Sequence, residues 1–95
     1  MILCDGIGCD GYVWRHLRPA LAPRRVVHGH YRGHGRSQAP RRAGCLEIED
    51  LADDAVAILD DAEIGCAVWV GHSMGVQVAL ETWRRHPDRV AGLVL

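Results

Sequence analysis

The chain has 95 residues, 48% of them hydrophobic, and a formal net charge of −1. That length allows one domain, and the apolar share excludes intrinsic disorder. The near-zero charge gives no general reason to expect nucleic acid or an anionic membrane as partner. Charge is segregated along the chain, with eight of 11 basic residues between Arg15 and Arg42 and eight of 12 acidic residues between Glu47 and Glu63. Without interleaved aromatics or a binding motif, this reads as a basic surface and an acidic helix face.

In chain order, Ile2 to Cys4 is a short apolar run stopped by Asp5-Gly6, which predicts a buried strand. Gly6, Gly8 and Gly11 make a glycine-rich loop. Tyr12 to Ala22 predicts a helix with Trp14, Leu17 and Leu21 on one face, kinked or divided by Pro19. Arg25 to Tyr31 is a second strand around Val26 and Val27, followed by the loop Arg32-Gly33-His34-Gly35-Arg36-Ser37 and a polar stretch with Pro40 and Gly44. Glu47 to Ala62 predicts an amphipathic helix whose apolar face is Ile48, Leu51, Ala52, Ala55, Ile58, Leu59 and Ala62. Glu47, Glu49 and Asp50 suit its N-terminal dipole. Cys66 to Val70 is an unbroken apolar run of the kind buried on both faces of a sheet. Met74 to His86 predicts a helix with Val76, Ala79, Leu80 and Trp83 on one stripe, stopped by Pro87, and Val90 to Leu95 a fourth strand. The order β-α-β-α-β-α-β predicts an α/β fold: about four parallel strands with helices on both faces, forming one domain over residues 1–95.

Cys4, Cys9, Cys45 and Cys66 contain no Cys-x-x-Cys pair. A chain able to build an apolar core has little need of a disulfide framework, so reduced thiols and a cytoplasmic location are expected. No apolar run approaches the length of a membrane span, and Met1 to Asp5 lacks the basic and apolar regions of a signal peptide.

The run Gly71-His72-Ser73-Met74-Gly75 joins a predicted strand to a predicted helix, the arrangement of a nucleophile elbow. Such a turn projects the serine hydroxyl above the sheet and strains the backbone, and glycines two residues either side remove side chains that would collide. The helix starting at Met74 aims its N-terminus at the site, which favours a developing oxyanion. By composition alone, Gly-x-Ser-x-Gly matches a random window about three times in ten thousand. Over this chain that is a few per cent, before the flanking strand and helix are counted.

From Ile2 to Leu95 the chain resembles the α/β-hydrolase family, over what corresponds to the front part of a usual hydrolase domain. The likeness rests on Asp5-Gly6-Ile7-Gly8 after the first strand, on Arg32 to Ser37 after the second, and on Gly71 to Gly75 with its helix. It implies a partial hydrolase fold and a serine nucleophile, Ser73. It also implies an oxyanion hole formed by the N–H groups of Met74 and Ile7, no cofactor, no metal and a small-molecule substrate. Asp5 stands where the family usually has His, and His30 where it usually has Asp, so the supporting hydrogen bonds must differ. Ser73 also sets the chain apart from relatives with Asp at the elbow, such as haloalkane dehalogenases and epoxide hydrolases. The family's order of Ser, then acid, then His places the other two triad members beyond Leu95.

Residues inside the chain are weak substitutes. His72 neighbours Ser73, but adjacent side chains at an elbow diverge. His28, His30 and His34 have a spacing that loosely matches a metal-binding strand and loop, yet Arg32 stands among them and no carboxylate is near in sequence. Two functions follow. The chain is the N-terminal part of a serine hydrolase that attacks an ester or related acyl bond through an acyl-enzyme at Ser73. Alternatively, it is a non-catalytic, truncated hydrolase-like binding or interaction module. In either case the isolated chain, with open sheet edges, is expected to self-associate.

Overall fold

A computed structural model describes residues 1–9, 11–32 and 47–95. The chain runs β1 (Ile2–Cys4), a 3₁₀ turn (Tyr12–Trp14), α1 (Leu17–Leu21), β2 (Val27–His28), α2 (Ile48–Asp61), β3 (Ala67–Gly71), α3 (Met74–Arg85), a second 3₁₀ turn (Pro87–Arg89) and β4 (Val90–Val94). The four strands form one parallel sheet in the order β2-β1-β3-β4.

Strand alternation explains the two-sided core. Ile2, Cys4, Ala67 and Trp69 point to the face covered by α2 and α3, where Leu51, Ala52, Ala55, Val56, Leu59, Val78 and Ala79 close the main core. Leu3 and Val70 point the other way and pack with Trp14, flanked by Val13, Leu21, Val26 and Val68. The sheet is therefore covered on both faces, as a parallel sheet requires. Helix α2 begins in a capping box of Glu47 and Asp50. It ends on Glu63 in the left-handed region at φ 58°, with Ile64 N–H donating to Leu59 C=O and Glu63 N–H to Asp60 C=O.

Two elements and one buried face differ from the sequence reading. The helix expected over 12–22 is a 3₁₀ turn and a short α1, divided before Pro19 rather than at it. Pro19 lies in the first turn of α1, where an N–H has no intrahelical acceptor and its loss is tolerated. The second strand has two residues, Val27 and His28, not the seven from Arg25 to Tyr31. The buried face of α3 is Gly75, Val78, Ala79 and Thr82, while Leu80 and Trp83 are exposed at 40% and 54%. Small residues win because α3 lies tightly on the sheet, and Thr82 is buried without cost because its Oγ1 donates to the Val78 carbonyl at 2.9 Å.

The strand order decides where a site can form. From β1 the chain crosses to one side to form β2 and returns past β1 to form β3, so the loops leaving β1 and β3 separate at the sheet's C-terminal edge. In open α/β sheets that switch point is where ligands bind.

Candidate active site

Both loops at the switch point carry residues singled out in the sequence. Ser73 follows β3 with φ 55° and ψ −117°, a strained combination for a residue with a Cβ. The turn closes by hydrogen bonds from Gly75 N–H to His72 C=O (2.9 Å) and Val76 N–H to Ser73 C=O (3.0 Å). A Cβ on Gly71 would lie 2.7 Å from the Gly75 carbonyl oxygen and 2.8 Å from Val76 Cα. A Cβ on Gly75 would overlap the Cys4 carbonyl. These two glycines are demanded by the close approach of strand, turn and helix. His72 N–H donates to Cys4 C=O at 3.1 Å and ties the elbow to the end of β1.

Ser73 is exposed, and Met74 opens α3, so its N–H has no acceptor within the helix. The loop after β1 faces the elbow. A Cβ on Gly6 would be 3.2 Å from Ser73 Cβ and 3.1 Å from His72 Nδ1. The side chain of the next residue, Ile7, is 74% exposed, and Cys9 N–H donates to Gly6 C=O at 3.2 Å to close the turn. The elbow and the Gly6-Ile7 loop are thus brought together. The loop from Gly33 to Ser37, with His34, lies outside the described residues, as does Cys45.

Beneath this loop is a cluster that the sequence reading missed. The Asp5 carboxylate, 1% exposed, accepts a hydrogen bond from Trp14 Nε1–H through Oδ1, and its Oδ2 lies 2.8 Å from His28 Nε2. Burial pushes the Asp5 carboxyl up, but the His28 and Trp14 hydrogen bonds and the nearby His28 and His30 imidazoles outweigh it, leaving it below the usual carboxylate range. His30 meets the His28 ring edge-on at 5.3 Å. Here His28 and His30 stand around an Asp at the position where the family usually has His. The only sequence signal was that exchange of residue types. Among the described residues, no group of three or more His, Cys, Asp or Glu is placed to hold a metal ion.

Cys4 does not compete with Ser73 as a nucleophile. Burial pushes its thiol up to about 12, with the Tyr31 hydrogen bond working against the rise and the Asp5 charge adding to it. Among the described residues, no helix is long and apolar enough to cross a membrane.

A family model for the alpha/beta hydrolase fold matches residues 1–95. The chain is 39% identical over 95 residues to epoxide hydrolase A of Mycobacterium tuberculosis, covering 98% of this chain and 30% of that protein. Among solved structures it is similar to epoxide hydrolase A from Mycobacterium thermoresistibile, with a TM-score of 0.90, 34% identity, and coverage of 97% of this chain and 30% of that one. It is also similar to the enol-lactonase from Burkholderia xenovorans LB400, with a TM-score of 0.89, 33% identity, and coverage of 97% and 35%. The chain spans about a third of these relatives' length, and over that span the family match and the parallel sheet order place it in the alpha/beta hydrolase fold family.

Proposed function

We propose that the chain carries the nucleophile of a serine hydrolase that cleaves an ester or related acyl bond through an acyl-enzyme at Ser73. The supporting observation is the strained Ser73 backbone, at φ 55° and ψ −117°, exposed between β3 and α3. Ser73 Oγ attacks the acyl carbon and gives up its proton to a general base. The tetrahedral oxyanion accepts hydrogen bonds from Met74 and Ile7 N–H. Collapse expels the alcohol or amine with that proton, and water then releases the acid. The base and its acid partner come from outside these 95 residues, in the order that the resemblance implies. The substrate is a small molecule, and the reading needs no cofactor, metal, nucleic acid or membrane. A cytoplasmic location accompanies this reading, because a chain that builds an apolar core has little need of disulfides.

The relatives named as epoxide hydrolases favour a second reaction, epoxide opening. Ser73 argues against it on chemical grounds. A carboxylate that opens an epoxide leaves an ester that water can hydrolyse, whereas a serine would leave an ether that it cannot. Acyl transfer is the chemistry for which a serine is regenerated, and the likeness to an enol-lactonase is consistent with it.

A fluorophosphonate probe applied to the native protein tests the proposal. Ser73 becomes labelled, the Ser73→Ala variant does not, and a p-nitrophenyl ester is turned over while styrene oxide is not. No labelling of Ser73 in folded protein sinks the acyl-enzyme and leaves the non-catalytic module. As an isolated chain it self-associates through the exposed Leu80 and Trp83 side of α3.

A further inference from the structure

The Asp5 carboxylate is the meeting point of three segments. It follows the last residue of β1, it holds Trp14 of the first 3₁₀ turn, and it holds His28 at the end of β2. The Trp14 ring meets the His72 ring edge-on, with centroids 6.2 Å apart, and His72 precedes Ser73. His28 is roofed by the same loop: Gly11, at φ 92°, leaves so little space that a Cβ there would lie 2.6 Å from His28 Cε1. Asp5 is therefore tied to the first 3₁₀ turn and to β2, and it directly precedes Gly6, which faces Ser73. A buried carboxylate without partners is costly, so Trp14 and His28 are held to it as firmly as it is held to them.

We propose that Asp5 is a positioning residue, acting through Trp14 and His28 to fix the Gly6-Ile7 backbone opposite Ser73. It is too deeply buried to touch substrate itself. Asp5 directly precedes Gly6 and Ile7, so a displaced Asp5 carries the Ile7 N–H with it. A donor aimed at an oxyanion loses its effect when displaced by an ångström, a shift worth on the order of 100-fold in rate. This role rests on the reading of Ser73 as nucleophile.

The test uses the native protein with Asp5→Ala, Trp14→Phe, and the exchanged pair Asp5→His with His28→Asp. Two quantities are measured: the rate and half-saturation of Ser73 labelling by a fluorophosphonate, and amide hydrogen exchange at Gly6 and Ile7. Asp5→Ala is expected to lower the maximal labelling rate by about 10- to 100-fold with unchanged half-saturation. It also speeds exchange at Gly6 and Ile7 but not along β3. Trp14→Phe does the same to a smaller degree, and it serves as the probe if Asp5→Ala does not fold. The exchanged pair rebuilds a His–carboxylate bond in the opposite sense and recovers most of the rate. Wild-type labelling and exchange in folded Asp5→Ala or Trp14→Phe would overturn the proposal. If the wild type itself is not labelled, the nucleophile reading has failed, and the exchange data alone decide whether Asp5 holds the loop.

Discussion

Gly75 rests directly against the carbonyl of Cys4, so the first turn of α3 touches the end of β1 with no side chain between them. This contact sets the height of Ser73 above the sheet. Any Cβ at position 75 must push backbone against backbone, and backbone does not yield as a flexible side chain does. Gly75→Ala is expected to cost about 3 kcal/mol in urea unfolding. It also slows Ser73 labelling by moving the elbow away from Gly6.

The strain at Ser73 predicts an opposition between stability and function. A glycine adopts φ 55° without the steric cost that a side chain incurs. Ser73→Gly therefore stabilises the fold by about 1 kcal/mol in the same urea titration, while losing all reactivity toward the probe. A destabilised Ser73→Gly variant would show that the turn is not strained.

The buried face of α3 makes a contrast that substitution can check. Leu51 of α2 is 1% exposed in the main core, and Leu51→Ala is expected to cost about 3 kcal/mol. Leu80 sits on the outer side of α3, and Leu80→Ala costs under about 1 kcal/mol. Comparable losses at the two positions in thermal melts of the isolated chain would restore the Leu80 and Trp83 stripe as the core face.

Asp5 links the site to acid stability. Its carboxyl lies below the usual range when folded, so its contribution is fully present above the unfolded value, about 3.9, and is lost as pH falls through the folded value. Replacing the charge with Asp5→Asn removes about 2 kcal/mol at neutral pH. The gap between wild type and variant is still open at about pH 4 and closes as pH falls below it. A gap that stays open well below about pH 4 would mean that the Asp5 charge is not stabilised by Trp14, His28 and His30.

Much of this molecule was legible in local pattern. Apolar runs of three to six residues between helical periods gave the parallel sheet, because strands covered on both faces cannot tolerate polar alternation. Gly71, Ser73 and Gly75 marked the elbow, because the close packing there depends on glycine at two positions two residues either side of the serine. Folding in three dimensions settled two other matters. Residues 5, 14 and 28 meet only because β2 lies beside β1 in the order β2-β1-β3-β4, and no spacing along the chain encodes that adjacency. The exposure of Leu80 and Trp83 follows from how closely α3 approaches the sheet. That approach favours Gly75, Ala79 and a self-bonded Thr82 over bulkier apolar residues, so hydrophobicity alone pointed to the wrong face.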